Sequence, residues 1–223
     1  MAPMMPRTER VLLARALALA GRPLGDIATG SEARGKGAAG ALVERALGIA
    51  PSSRPEPDLP ALGIEVKTLP VVGGRLVEST WVCSAAPAAL AQETWVSSRV
   101  RAKLARVLFV PVDASATSLA ERRIGTAFLW SPSAADEALV RGDWEDLADL
   151  VARGLASVIS ARRGRALQLR PKARDARQRR RARTADGDEY WARPLGFYLR
   201  RAFVQRVVDG VFPPDVEDQP SRS

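Results

Sequence analysis

The chain has 223 residues, of which 46% are hydrophobic, so it can bury a sizeable core in one domain. Its net charge of +9 favours a polyanionic partner such as nucleic acid. An anionic membrane surface is the alternative, although the sequence shows no clean basic amphipathic helix. Because there is no histidine and one cysteine, Cys83, the composition excludes an intrachain disulfide, a Cys/His zinc finger and a nucleophile activated by histidine.

The N-terminal segment predicts helices rather than a targeting sequence. Residues 1–7 indicate a flexible terminus, and Thr8 caps a predicted helix that extends to about Ala20. Residues 23–28 predict a loop and a second, short helix. The sequence lacks an apolar run of about 20 residues and the order of a signal peptide, so we expect a cytoplasmic protein without a membrane span.

A glycine-rich loop over residues 30–40 precedes the next predicted helix. Its glycine spacings fit no P-loop, so a flexible surface loop is the simpler interpretation. The helix covers about residues 38–47 and buries one apolar stripe. Glu44 falls off that stripe, where a solvated glutamate is the simplest interpretation from the pattern alone.

The stretch over residues 57–70 carries the clearest chemistry. Apolar residues alternate with Glu65 and Lys67, so a strand places these two charged side chains on one face. A bend marked by proline and glycine would bring Asp58 back towards them. The two carboxylates suit a magnesium ion, and the lysine adds positive charge where water and a phosphate oxygen meet. This set fits metal-assisted phosphodiester cleavage, whereas Glu65 and Lys67 alone also fit two exposed charges that pair with each other.

Two further segments follow this stretch. Glycines 73 and 74 predict a hairpin turn into a returning strand over residues 76–83. Residues 98–105 predict a short helix that presents Arg99 and Lys103 on one face, four residues apart. A solvated basic face is the alternative for that helix.

The second half of the chain alternates predicted strands and helices. Residues 106–112 form a near-continuous apolar run, which is typical of a central strand, and residues 124–130 predict another strand. A long helix is predicted over residues 131–153, with its core at Trp144, Leu147, Leu150 and Val151. Residues 156–159 and 166–170 predict a pair of strands.

A dense basic segment follows, in which eight of the fourteen residues from Arg170 to Arg183 are Arg or Lys. Residues 174–183 could contact DNA phosphates directly or could form a mobile, solvated loop, and the sequence fits both interpretations. Arg170 and Lys172 lie at a strand end, where their position is fixed, and arginine can bond guanine O6 and N7 as a bidentate pair.

The C-terminal region contains one candidate functional side chain. Tyr198 fits core packing as readily as a binding role from its surroundings in the sequence. It precedes a predicted helix over residues 199–209. Residues 213–223 indicate a flexible tail.

Several of these motifs together resemble a known family. Pro57–Asp58 followed by Glu65–Val66–Lys67 resembles the signature of the PD-(D/E)xK nucleases. The run over residues 62–71 resembles the MutH family of DNA mismatch-repair endonucleases in particular. The resemblance continues in residues 40–48, 101–108, 167–173 and 194–203. It implies an α/β fold of the restriction-endonuclease type, with a mixed sheet flanked by helices in one domain, and two lobes around a basic DNA-binding cleft.

The resemblance also implies roles for individual residues near the predicted metal site. Asp58 and Glu65 would hold Mg²⁺, for which Mn²⁺ could substitute. Lys67 would orient or activate water, and Lys103 would stabilise charge at the phosphate. Glu44 would support the metal site.

For DNA recognition, the resemblance assigns bases of a GATC site to Arg170 and Lys172 and the sensing of adenine methylation to Tyr198. Arg99, on the same predicted helix face as Lys103, is a further expected DNA contact. The arginines of residues 174–183 are expected on the phosphate backbone, although this segment is far richer in arginine than the family, so loop contacts cannot be transferred.

The function implied is a magnesium-dependent endonuclease that nicks the unmethylated strand at hemimethylated GATC sites when MutL activates it. MutS would act indirectly, through MutL, and the protein would act largely as a monomer. One alternative is a GATC-type restriction endonuclease of the same fold, which cuts both strands unaided. The other is a basic DNA-binding protein with an inactive site.

Overall fold

The computed structural model describes residues 3–28, 37–50, 55–90, 92–160, 162–171, 180–183, 187, 189–192 and 194–213. The helices are α1 (Glu9–Ala18), α2 (Ala38–Leu47), α3 (Pro87–Leu90), α4 (Arg99–Leu104), α5 (Ala134–Ala152) and α6 (Arg201–Val211). The strands are β1 (Glu65–Val72), β2 (Arg75–Leu76), β3 (Thr80–Ala85), β4 (Val107–Asp113), β5 (Phe128–Trp130), β6 (Leu167–Pro171), β7 (Arg180–Arg183), β8 (Glu189–Ala192) and β9 (Leu195–Leu199). Short 3-10 helices lie at Leu24–Ile27, Pro60–Leu62, Leu119–Glu121 and Leu155–Val158. In these ranges, none of the helices has the length and apolarity that crossing a membrane requires.

Two sheets and a ribbon make up the β-structure of the described residues. The first sheet has the order β2–β1–β4–β5, and it is mixed because β1 runs parallel to β4 while β2 and β5 are antiparallel to their neighbours. The second sheet, β3–β9–β6, is antiparallel, and β7 pairs with β8 as a separate ribbon. The predicted α/β class with a mixed sheet flanked by helices is confirmed.

Hydrophobic cores lie on both faces of the first sheet. Alternate side chains of β4 enter different cores, with Leu108 and Val110 facing α1 and α2, and Val107 and Phe109 facing α4, α5, α6 and the second sheet. A strand buried on both faces needs the continuous apolar run that predicted β4 as central. The two cores meet at this strand, and the arrangement of the protein in two lobes stays a prediction.

Most predicted helices begin where the sequence places a cap. The Thr8 hydroxyl accepts a hydrogen bond from the Val11 amide at 3.3 Å, and Ser98 and Ser133 cap α4 and α5 in the same way. The predicted core positions of α5 (Trp144, Leu147, Leu150 and Val151) are buried.

The two ends of the chain were predicted to be flexible. Within residues 3–7, the Met4 carbonyl accepts a hydrogen bond from the Arg15 guanidinium, which ties this segment to α1. Gly48, at φ 86°, lets the chain pass that carbonyl, since a Cβ there would lie 2.6 Å from the Met4 oxygen. Residues 214–223 lie outside the described part of the chain.

Two strand predictions are wrong because sequence periodicity does not show which sheet a strand joins. Residues 76–83 do not form one strand, since β2 ends at Leu76 in the first sheet and β3 begins at Thr80 in the second. Residues 155–158 form a 3-10 helix instead of a strand, and β6 pairs with β9, which the sequence analysis did not predict.

The strand predicted over residues 124–130 is shorter than expected. Ile124 makes only an isolated bridge to Val112, and β5 begins at Phe128. Pro111 of β4 explains the interruption, because proline has no amide N–H to donate to the ladder. The Gly125 amide instead donates to the Pro111 carbonyl at 2.8 Å.

Helix α5 fixes the start of β6 through one carboxylate. Asp143 accepts hydrogen bonds from the consecutive amides of Arg165, Ala166 and Leu167, at 2.8, 2.6 and 2.8 Å to Oδ2. We expect Asp143→Ala to lower the free energy of unfolding by about 2 kcal/mol or more, because it leaves three amides without their charged acceptor.

Chemical denaturation of the matched variant Asp149→Ala provides the control. Asp149 lies on the same helix and pairs with Arg153 at the surface, so its loss should change stability by less than about 0.5 kcal/mol. Equal losses in the two variants would show that the Asp143 contacts contribute nothing specific.

Candidate active site

A tight turn brings the acidic residues of the predicted site together. Leu59 and Ile64 form an antiparallel bridge, with their amides and carbonyls bonded at 2.9 and 3.2 Å. The 3-10 helix at Pro60–Leu62 fills the turn, and Gly63 closes it at φ 65°, a conformation that favours glycine. The bend predicted from proline and glycine is therefore the one observed.

Because of this turn, Asp58 lies beside the first residues of β1. The Asp58 amide donates to Glu65 Oε2 at 3.2 Å, and the Val66 amide donates to Asp58 Oδ2 at 2.9 Å. The backbone amides of Asp58 and Val66 thus help to fix the carboxylates of Glu65 and Asp58, respectively. No hydrogen bond from a described residue reaches Asp58 Oδ1.

Two lysines hold the Glu65 carboxylate, which is buried with 1% of the residue exposed. Lys67 Nζ lies 2.5 Å from Oε1, and Lys103 Nζ lies 2.8 Å from Oε2. Lys103 extends from α4, is itself buried, and also donates to the Glu56 carbonyl at 2.9 Å. A buried carboxylate needs such charged partners, because desolvation without them would be costly.

Glu44 joins this cluster from α2. Burial raises the pKa of Glu44 to about 7, the carboxylates of Asp58 and Glu65 add to the rise, and Lys67 and Lys103 oppose it. Gly40 lies one turn earlier, where a Cβ would come within 3.6 Å of the Thr68 hydroxyl, so a small residue lets α2 approach β1. The structure thereby brings together all five residues that the sequence analysis assigned to catalysis.

The donor set fits a magnesium ion. Among the described residues no group of three or more His, Cys, Asp or Glu side chains is arranged to hold a metal by itself. Magnesium, however, is commonly bound through one or two carboxylates and keeps several water ligands. Asp58, with Oδ1 open to a further partner, and Glu65 supply two such carboxylates.

A second group of predicted residues lies on the antiparallel sheet. The Arg170 guanidinium lies 5.4 Å from the centroid of the Tyr198 ring and donates to the Ser79 hydroxyl at 3.1 Å. Trp81 also contacts Tyr198, edge-on, with 5.1 Å between ring centroids. Burial raises the pKa of Tyr198, so the phenol stays neutral and can donate a hydrogen bond at neutral pH.

A cleft of about 920 Å³ joins the two groups. Glu44 and Lys67, from α2 and β1, and Arg170 and Tyr198, from the second sheet, all line it. The sequence analysis missed several other lining residues, namely Gly40, Thr68, Ser79 and Trp81. The sequence alone could not assign Ser79 and Trp81 to the cleft, because their position depends on the pairing of β3 with β9.

Three predicted residues have other outcomes. Arg99 is not among the residues that line the cleft, and its guanidinium lies 3.9 Å from Glu93, so its contact with DNA stays a prediction. Lys172 lies outside the described residues. Cys83 is buried in the core as predicted, and burial raises the pKa of its thiol to about 12.

The raised pKa of Glu44 leads to a stability prediction for the metal-free protein. The folded pKa of about 7 lies above the unfolded value of 4.5, so wild-type stability falls as pH rises between these values. Glu44→Gln cannot ionise, so its advantage over wild type should be absent below the lower pKa and complete above the upper one. Allowing for solvent screening, we expect an advantage of about 1–2 kcal/mol.

Denaturation of both proteins in chelator across this pH range measures the difference directly. Titrating groups remote from Glu44 contribute equally to both proteins and cancel. A difference that does not change with pH would contradict a desolvated Glu44 carboxyl.

Comparisons with known proteins agree with the site. The family model described as "DNA mismatch repair enzyme MutH" matches residues 47–143, which include Asp58, Glu65, Lys67 and Lys103. The DNA mismatch repair protein MutH of Serratia proteamaculans (strain 568) is 44% identical over 210 residues, covering 90% of this chain and 92% of that protein. Proteins of the same name from Salmonella paratyphi A (strain ATCC 9150 / SARB42) and Salmonella newport (strain SL254) are each 43% identical, over 92% and 91% of this chain and 93% and 92% of their own lengths. The chain therefore belongs to the MutH family of DNA mismatch repair enzymes.

Proposed function

We propose that the protein is a magnesium-dependent endonuclease that nicks the unmethylated strand of hemimethylated GATC sites when MutL activates it. The observation that carries the proposal is the cleft, which places the Glu44 and Lys67 side chains across from Arg170 and Tyr198. A DNA strand in this cleft would meet a hydrolytic group and a recognition group together. The net charge of +9 supports binding of a polyanion.

Hydrolysis of a phosphodiester requires a water oxygen to attack phosphorus while the bond to the leaving oxygen breaks. Lys67, on the wall of the cleft, orients the water and stabilises its developing charge. Lys103 adds positive charge at the phosphoryl oxygens. Asp58 and Glu65 would hold the magnesium ion, which would acidify water and neutralise phosphate charge, and Mn²⁺ could substitute because it also prefers oxygen ligands.

Glu44 is proposed to support the cluster of Asp58, Glu65 and the two lysines. Its pKa of about 7 lets it exchange a proton near neutral pH in the metal-free protein, and the positive charge of a bound ion would favour its carboxylate. The proposed role is to support the metal site by completing the negative charge around it.

The recognition of bases is assigned to Arg170 and Tyr198. Arginine can bond guanine O6 and N7 as a bidentate pair, and Tyr198, which contacts Arg170 and Trp81, is proposed to sense the adenine methyl group. Lys172 is proposed as a second base contact on the strength of the family resemblance. Activation by MutL, an indirect role for MutS and action as a monomer likewise follow from family membership.

The catalytic assignment predicts that Glu65→Ala and Lys67→Ala each reduce nicking of a plasmid with one GATC site by at least about 100-fold. Binding to the same DNA should change far less, because other residues make the recognition contacts. Glu145→Ala is the matched control, since Glu145 is an exposed acid that pairs with Arg141 on the surface of α5. Nicking that persists in the Glu65 and Lys67 variants would place the active site elsewhere.

The same plasmid separates the alternatives. Hemimethylated DNA should be nicked in one strand, and faster with MutL, MutS and a mismatch present. Unaided double-strand cleavage of unmethylated DNA would instead favour a restriction endonuclease. Specific binding with no cleavage under any of these conditions would favour a DNA-binding protein with an inactive site.

The recognition assignment predicts different behaviour for two arginines. Arg170→Ala should weaken binding to GATC duplexes by about 5- to 150-fold and relax discrimination against other sequences, because it removes a bidentate base contact. Arg181, exposed on the ribbon above the Trp191 ring, is assigned to the phosphate backbone. Arg181→Ala should therefore weaken all duplexes alike and reduce the slope of log K against log salt by about 1.

Binding titrations at several salt concentrations, with GATC and scrambled duplexes, test both assignments. An unchanged salt slope for Arg181→Ala would exclude backbone contact by that residue. Equal weakening of both duplexes in Arg170→Ala would exclude base reading by Arg170.

A further inference from the structure

Two neighbouring side chains contact the guanidinium of Arg170. Its Nη1 donates a hydrogen bond to the Ser79 hydroxyl at 3.1 Å, and its central carbon lies 5.4 Å from the centroid of the Tyr198 ring. Ser79 immediately precedes β3, whereas Arg170 lies on β6, and these are the outer strands of the second sheet. The long arginine side chain therefore reaches across the central strand β9, and the serine hydroxyl holds its far end.

Neither of these two partners carries a negative charge. Other surface arginines pair with carboxylates, as Arg163 does with Asp146. Within the part of the chain that the structure describes, Arg170 is instead bonded to a hydroxyl, which occupies one N–H group of the guanidinium and leaves its other N–H groups available. An arginine that is oriented without being neutralised keeps both its positive charge and its remaining donors for a ligand.

The bond between these residues lies in the proposed DNA-binding cleft. Ser79, Arg170 and Tyr198 all line this cleft of about 920 Å³. A bidentate contact with guanine requires one orientation of the planar guanidinium, and an unrestrained arginine side chain loses rotamer entropy when it adopts that orientation. A hydrogen bond that fixes the guanidinium before DNA arrives reduces this loss, so Ser79 can strengthen base reading without touching a base.

We propose that Ser79 is a positioning residue that orients Arg170 for the reading of guanine, an inference that rests on the proposed function. The Ser79 hydroxyl accepts from Nη1 and holds the guanidinium in the orientation in which its other N–H groups meet O6 and N7 of the base. Ser79 acts through Arg170 alone. Loss of the hydroxyl should therefore matter only while the arginine is present, and only for DNA that offers the guanine of the site.

A double-mutant cycle tests this role with wild type, Ser79→Ala, Arg170→Ala and the protein that carries both changes. Ser79→Ala should bind a GATC duplex about 2- to 12-fold more weakly than wild type, because one hydrogen bond that orients the guanidinium is lost. In the Arg170→Ala background the same change should have no further effect, since the group that Ser79 orients is missing. Ser79→Thr keeps a hydroxyl and should restore binding. Fluorescence anisotropy in magnesium-free buffer measures the affinity without cleavage.

Ser131→Ala is the matched control. The Ser131 hydroxyl also accepts a hydrogen bond from an arginine, Arg106, at 3.1 Å, and neither residue is among those that line the cleft. This variant should bind GATC and scrambled duplexes as wild type does. A scrambled duplex also separates positioning from a general structural role, because Ser79→Ala should leave the affinity for that duplex unchanged.

The outcomes are distinct. If Ser79→Ala binds the GATC duplex as wild type does, weakens binding equally with and without Arg170, or weakens both duplexes alike, Ser79 does not position the arginine. Such a result would leave the proposed function intact as long as wild type prefers GATC over a scrambled duplex and Arg170→Ala loses that preference. If wild type shows no such preference, the proposed function fails and the role of Ser79 fails with it.

Discussion

The structure depends on the burial of one carboxylate between two lysines. Glu65 is 1% exposed, with Lys67 on one oxygen and Lys103 on the other, and the Asp58 amide also donates to it. Each partner comes from a different part of the fold: β1 itself, helix α4 and the turn before β1. A buried charge of this kind is stable only while all its partners stay in place, so the fold and the candidate site are the same set of contacts.

The parallel pairing of β1 with β4 is what makes these contacts meet. Glu65 lies opposite Val107, immediately after α4, so the strand register brings Lys103 within reach of Glu65. Helix α2 packs on the other side of β1 and brings Glu44 to the same end. The second sheet then supplies Arg170 and Tyr198 to the cleft, so the residues proposed for hydrolysis and those proposed for recognition lie on separate elements.

How far the sequence could predict this arrangement depends on the range of each interaction. Asp58, Glu65 and Lys67 are close in sequence, so the alternation of β1 and the bend at Gly63 were sufficient to place them together. Lys103 and Glu44 were assigned by resemblance, and only the fold shows their contacts. The contacts of Tyr198 with Trp81 and Arg170 depend on strand pairings between distant segments. No local pattern encodes such pairings, which is also why the strand pair predicted near residue 156 was wrong.

The central claim is that Asp58 and Glu65 share one divalent ion, and a titration with Mn²⁺ followed by electron paramagnetic resonance tests it most directly. We predict that Asp58→Asn and Glu65→Gln each weaken Mn²⁺ binding by at least about tenfold, whereas Glu145→Gln leaves it unchanged. Wild-type affinity in either of the first two variants would contradict the claim.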